Sequence, residues 1–309
     1  MKKFIKILII LVIALDITDH NLFNDTLYSY IEDSYYKKEY NIVFNEKTLN
    51  KNKYLYKEFT NNVTSTDDFY PKNKTDLLNI YYTALNNGLT DFSFYCTNEY
   101  KSCIQDVGTL SQDADKFSYL NQLVHPYNSF KTIKSVSGPN KRIDVTIEKK
   151  YSKEDIENIE IKLDQIMTKL NINNYNNIND KIKVFHDYLV NNNKYDSDKD
   201  KNHSIYHSDT AIGALYEGYA ICSGYSDAMA IFLDKMNLDN VKVITEDHVW
   251  NSVLINNIWY HIDVTWDDPV VNTGENILRH DFYMINTNTL LKKDLTQHNF
   301  NKDLFDFIK

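Results

Sequence analysis

A chain of 309 residues that is 42% apolar and 14% aromatic carries enough core-forming side chains for one large domain or two ordinary ones. Disorder, collagen-like repeats and short disulfide-stapled scaffolds are thereby excluded. Its 34 basic and 43 acidic residues leave a net charge of -9, which argues against the basic patch that a nucleic-acid partner requires.

The chain opens MKKFIKILIILVIALD, a basic start followed by an apolar run from Ile7 to Leu15. That is the pattern of an export signal, and the run is too short to cross a bilayer comfortably, since a spanning helix needs about 20 residues. Residues 1–20 are therefore expected to be a signal peptide or an N-terminal membrane anchor, with the protein exported and either extracellular or held at the cell surface. No clear small-residue cleavage site separates these two outcomes. Any membrane contact is expected through this segment alone.

Residues 25–75 are polar, rich in tyrosine and weakly periodic. From Asp76 to Asn86, Leu77, Ile80, Tyr81, Ala84 and Leu85 recur at helical spacing, with Gly88 beyond as a stop. The segments LTDFSFYC and KRIDVTIEKKY alternate as strands. Between them Cys96 and Cys103 either close a short loop or remain two thiols, and without a second Cys or His pair they do not suggest a zinc site. A long helix follows, capped by Ser152, with Ile156, Ile159, Leu163, Ile166, Met167 and Leu170 as its apolar stripe. Another begins near Asp180 and carries Ile182, Phe185 and Leu189, after which NNNKYDSDKDKNHS reads as a solvated loop. The expected class is α+β: an N-terminal α+β region over 25–150 and a helix-led C-terminal domain over 151–309.

Residues that are scarce elsewhere gather in the second half. Gly213, Gly218 and Gly224 are three of only seven glycines, and Trp250, Trp259 and Trp266 are all the tryptophans of the chain. After Cys222, the residues Tyr225, Ala228, Met229, Phe232 and Met236 recur at helical spacing, so a helix starts at or just after the cysteine. Unpaired N–H groups and the positive end of the helix dipole stabilise a thiolate there and can face a developing oxyanion. Gly218 and Gly224 leave room for the chain to turn and for a substrate to approach.

Two strand-like runs then flank Asn256-Asn257, a dipeptide suited to a tight hairpin turn. With a two-residue loop, Trp250 opposes Asp263 and His248 opposes Thr265. His248 and Asp263 then share a face as diagonal neighbours, or lie directly opposite if the register shifts by two. A carboxylate beside an imidazole is the base-orienting pair of a nucleophilic triad. The other face, with Val249, Val253, Ile255, Tyr260, Ile262, Val264 and Trp266, reads as core, Asn251 being its polar exception. An isolated cysteine is usually structural, as is an isolated strand histidine. A cysteine at a helix start, followed by His and Asp on one hairpin face, is hard to produce by chance. His261, on the Asp263 face, is the rival base. Asp267 and Asp268 read as a charged turn closed by Pro269 in preference to a calcium corner, whose alternating carboxylates are missing. The tail from His280 reads as a closing strand or helix pair.

From about Tyr188 to Pro269 the chain resembles the transglutaminase-like superfamily of papain-fold cysteine enzymes. The resemblance rests on Gly218, Cys222, Gly224 and Tyr225, then His248, Trp250 and Asn251, then the unbroken run Trp259 to Pro269. It implies Cys222 as nucleophile, His248 as general base and acid, and Asp263 as the residue that orients the imidazole. It also implies acyl transfer or hydrolysis at amide bonds of a protein or peptide substrate, without cofactor or metal, and leaves crosslinking and hydrolysis both open. The alternative from another class is an inactive surface binding or adhesion module on the same fold.

Overall fold

The computed structural model describes residues 60–110, 112–199, 204–269 and 277–308. The export segment and the polar stretch through residue 59 lie outside the described residues. The described part is α+β, and all of it falls in one compact unit, Glu46–Lys309.

Helix α1 (Lys74–Asn86) is capped by Asn73 and buries Leu77, Ile80, Tyr81, Ala84 and Leu85, the stripe expected from its spacing. It ends where Gly88, at φ 70°, lets its own N–H reach Leu85 O and that of Leu89 reach Ala84 O. Strand β1 (Asp91–Tyr95) follows, then helices α2 (Cys103–Leu110) and α3 (Ala114–Leu123), then strands β2 (Phe130–Ser137) and β3 (Arg142–Lys149). The antiparallel sheet has the order β1-β3-β2, so β3 is central and its Ile143, Val145 and Ile147 alternate inward. Tyr81 packs edge-on against Phe92 and Phe94 of β1. Cys96 and Cys103 form a disulfide at the start of α2.

Helix α4 (Lys153–Lys169) starts in a capping box in which Ser152 and Asp155 bond each other's backbone N–H. Helix α5 (Ile178–Asn192) stacks Phe185 on Phe232, ring centroids 4.0 Å apart. The polar stretch after α5 is not simply a solvated loop. Strand β4 (Lys194–Tyr195) pairs in parallel with β5 (Tyr219–Ala220), and Asn193 and Asp196 are buried. Helix α6 (Cys222–Lys235) is buried from Gly224 to Leu233 on every side, which marks it as the central helix of the core.

Against α6 packs an antiparallel sheet of β6 (Asn240–Ile244), β7 (Val249–Ile255) and β8 (Ile258–Ile262), in the order β6-β7-β8. Asn256 and Asn257 both adopt positive φ, as a tight hairpin requires, and the pairs run from Ile255↔Ile258 to Asn251↔Ile262, the expected register. The strand stops earlier than its sequence suggests: beyond Ile262 the chain turns into the single-turn helix α7 (Val264–Asp267). The sheet is also buried on both faces. Val253, Ile255, Ile262 and Val264 join the helical core, while Trp250, Trp259 and His261 are covered by Phe300 and Phe307 of the tail. That tail is neither a strand pair nor a helix pair. Among the described residues it comprises one short helix, α8 (Thr287–Lys293), and an irregular run to Ile308 whose fixed points are aromatic.

Asp227, buried in the middle of α6, ties the N-terminal sheet to the core. It accepts hydrogen bonds from Tyr151 (2.5 Å), Lys150 (3.1 Å) and Lys242 of β6 (2.8 Å). Burial alone would raise this carboxyl, but the two lysine charges outweigh burial and hold it at about 2. A depressed folded-state value means that the ion pair's contribution is fully present above the ordinary 3.8 and is lost as pH falls towards 2. Asp227→Ala strands the buried Lys242 ammonium and is expected to cost about 3 to 5 kcal/mol in urea unfolding at neutral pH. The variant is also expected to lose less stability than the parent between pH 4 and pH 2. Equal acid sensitivity in the two proteins would contradict this role.

Candidate active site

Cys222 occupies the first turn of α6, and the preceding Ile221 offers no side-chain cap, so no side chain competes for the first N–H groups. Gly218, at φ 73°, turns the chain into β5 and so delivers the cysteine to that position. A Cβ on Gly224 would stand 2.2 Å from Ser208 O, so only glycine lets the 207–210 segment cross the helix start. Ser223 and Ile221 fasten the same segment by donating to Asp209 O and Ser208 O. Cys222 is half-buried and is the one cysteine outside the disulfide.

The hairpin is clipped directly to this helix. The Ser226 hydroxyl lies 2.7 Å from Cys222 O and 2.9 Å from Val249 O, and Asn251 Nδ2 donates to Ser226 O at 2.9 Å. This accounts for a polar Asn251 on a core face: it fixes β7 against the first turn of α6. His248, immediately before β7, interacts electrostatically with Cys222, and its Nε2 lies 2.6 Å from Asp263 Oδ2. With Nε2 committed to the carboxylate, Nδ1 is the ring nitrogen left available to the thiol. The β7–β8 pairs of the unshifted register end at Asn251↔Ile262, and His248 and Asp263 sit just beyond the two strands.

Asp263 caps α7 with its other oxygen, which accepts from Trp266 N at 3.1 Å. Its Oδ2 also meets Nε2 of a second histidine, His298, at 2.9 Å. His298 Nδ1 reaches Asp294 Oδ2 at 2.8 Å. The His298 ring is fully buried between Trp250, Trp266 and Phe282. Burial would raise the Asp263 carboxyl, yet the His248 charge and the hydrogen bonds of both histidines outweigh it and hold it well below the usual carboxylate range. For His248 the balance runs the other way. Burial would lower the imidazole, but the Asp263 charge and hydrogen bond, with a further bond to Cys222, push it up to about 10.

Sequence reasoning did not single out His298. The available signal was the pair Asp294 and His298, four residues apart within an aromatic tail. Both nitrogens of His261 are engaged elsewhere: Nδ1 accepts from the Trp250 indole at 3.0 Å, Nε2 faces Thr287 at 3.1 Å, and burial lowers it to about 3. It is a neutral ring that props Trp250 beneath His248. Asp267 and Asp268 are not a charged turn. Asp267 is buried, 3.1 Å from His186 Nε2 and accepting from Phe282 N, while Asp268 accepts from the Tyr225 hydroxyl and is raised by burial to about 6.

Neither a family model nor a curated protein matches the chain. Among solved structures it is similar to a transglutaminase at 16% identity and TM-score 0.34, over 44% of this chain and 45% of that one. It is also similar to a candidate cysteine protease from Cytophaga hutchinsonii, at 13% identity and TM-score 0.28, over 43% of this chain and 61% of that one. The chain spans less than two thirds of either structure, and the resemblance concerns fold alone.

Thiol chemistry tests the geometry of the site directly. His248→Ala is expected to slow iodoacetamide alkylation of Cys222 at neutral pH by at least about tenfold, whereas His261→Ala is expected to leave it within about twofold. The reverse order, read by mass spectrometry of the modified peptide, would identify His261 as the cysteine's partner.

Proposed function

We propose that residues 151–309 form a papain-like, transglutaminase-like enzyme that cleaves or transfers amide-linked acyl groups of a protein or peptide through Cys222, His248 and Asp263. The observation that carries this reading is the single line of contacts from a cysteine at a helix start, through His248, to a buried carboxylate. A merely structural cysteine has no need of an imidazole held by such a carboxylate.

In this reading the Cys222 sulfur attacks the amide carbonyl, and the oxyanion of the tetrahedral adduct faces the uncapped N–H groups of the first turn of α6. His248 then transfers its proton to the departing amine as the carbon–nitrogen bond breaks, leaving a thioester on Cys222. Water or a second amine, deprotonated by His248, attacks the thioester and releases the thiol. Water gives hydrolysis and an amine gives crosslinking. Asp263 keeps the imidazole oriented and charged, and His298 keeps Asp263 in place. The N-terminal run Ile7–Leu15 supports an exported enzyme acting outside the cytoplasm, which fractionation of the native host tests.

The chemistry is tested by incubating the full chain with a peptide library and searching intact-mass spectra for a thioester on Cys222. Cys222→Ala and His248→Ala are each expected to abolish turnover by about a thousandfold or more, and the double variant to be no worse than either single one. Asp263→Ala is expected to be milder, because the imidazole still reaches the sulfur. Absence of any adduct and of any turnover across a broad library would return the domain to the class of binding modules, and turnover that Cys222→Ala leaves unaffected would remove Cys222 from the chemistry.

A further inference from the structure

A second cluster of nitrogen and oxygen ligands lies outside the Cys222 site. Helix α5 presents His186 and Asp187 in succession, with Lys183 one turn earlier, and His280 returns onto this face from the segment before α8. His186 Nδ1 lies 3.0 Å and His280 Nε2 2.6 Å from Asp187 Oδ1, and the three atoms fall within 4.8 Å of one another. His186 is buried, Asp187 half-buried and His280 exposed, so the cluster is anchored in the core and opens to solvent.

The protons available do not satisfy this arrangement. Lys183 Nζ stands 2.7 Å from Asp187 Oδ2 and 3.0 Å from His280 Nε2. The carboxylate calls for a proton on His280 Nε2, while the ammonium calls for a lone pair on the same nitrogen. One ring nitrogen supplies only one of these. His186 has a carboxylate at each ring nitrogen, Asp187 at Nδ1 and, at 3.1 Å from Nε2, the buried Asp267, an arrangement its doubly protonated ring satisfies.

We propose that His186, Asp187 and His280 form a zinc site. A cation accepting lone pairs from His186 Nδ1, His280 Nε2 and one Asp187 oxygen removes the conflict at His280. The Lys183 ammonium swings into solvent, and His186 Nε2–H donates to Asp267, the outer carboxylate that metal-bound imidazoles commonly have. Zinc bonds of about 2.0 to 2.1 Å place tetrahedral ligands roughly 3.3 Å apart, within small side-chain shifts of the observed spacings. Two imidazoles and one carboxylate suit zinc better than the all-oxygen cations, and the outward side is left for water. The ion would pin the segment around His280 to α5 and hold Asp267, whose Oδ1 and backbone carbonyl accept from Phe282 N and Arg279 N. It takes no part in the chemistry of Cys222.

The test uses the full chain with Cys222→Ala, so that the thiol cannot bind metal and the outcome is independent of acyl transfer. Titration with zinc chloride, followed by calorimetry and by the visible spectrum of the cobalt-substituted protein, is expected to show one equivalent bound. Adding His280→Ala is expected to weaken binding at least about tenfold. Adding Lys183→Ala is expected to tighten it, because the competing ammonium is gone. Both side chains reach solvent, so neither variant threatens the fold. No zinc uptake by the parent, or uptake that His280→Ala leaves undiminished, overturns the site; unchanged affinity in Lys183→Ala overturns the displacement of Lys183.

Discussion

One buried anion organises the C-terminal half of this protein. The Asp263 carboxylate is almost wholly removed from water, and in that state it is tolerable only because it is hydrogen-bonded from three sides: His248, His298 and the first turn of α7. Each donor comes from a different stretch of chain. The hairpin carries His248, the tail carries His298, and the departure of β8 into α7 carries Trp266 N. The stretches that meet here are therefore those that must fold together for the carboxylate to be buried at all.

Two consequences follow for the imidazole beside Cys222. A dry carboxylate exerts a stronger field than a hydrated one, so it outweighs the burial that would otherwise neutralise His248. The aromatic residues that fix the ring planes also exclude water: Trp250 stacks under His248, and His298 meets its edge. The tail that looked peripheral in sequence is thus part of the site. Its Phe300 and Phe307 cover the sheet face that a hairpin in isolation would leave wet.

Much of the site was legible in the sequence because local rules determined it. Hydrophobic spacing after Cys222 placed the helix start at the cysteine, Asn256-Asn257 selected the two-residue turn, and period-two alternation then put His248 and Asp263 on one face. What was not legible depends on distant packing. Nothing local marks the end of β8 at Ile262; it ends there because Asp263 turns its carboxylate into a helix cap. His298 is recruited by a carboxylate 35 positions away, and Asp267 and Asp268 find His186 and Tyr225 rather than solvent. The helices α2 and α3 and the strand β2 passed unnoticed because each is short, eight to ten residues, and their burial is set by neighbours. β2, at the edge of its sheet, buries almost nothing.

The charge state of His248 tests this account most directly. Nitrogen-detected NMR of histidine-labelled protein, followed through a pH titration, reports whether both ring nitrogens still carry protons. With the imidazole pushed up to about 10, the ring is predicted to remain a cation at pH 8, and Asp263→Asn is predicted to bring its deprotonation down by more than one pH unit. A wild-type His248 that loses its proton near the ordinary 6.5, along the same curve as Asp263→Asn, would contradict the claim that the buried carboxylate sets the chemistry of the cysteine's partner.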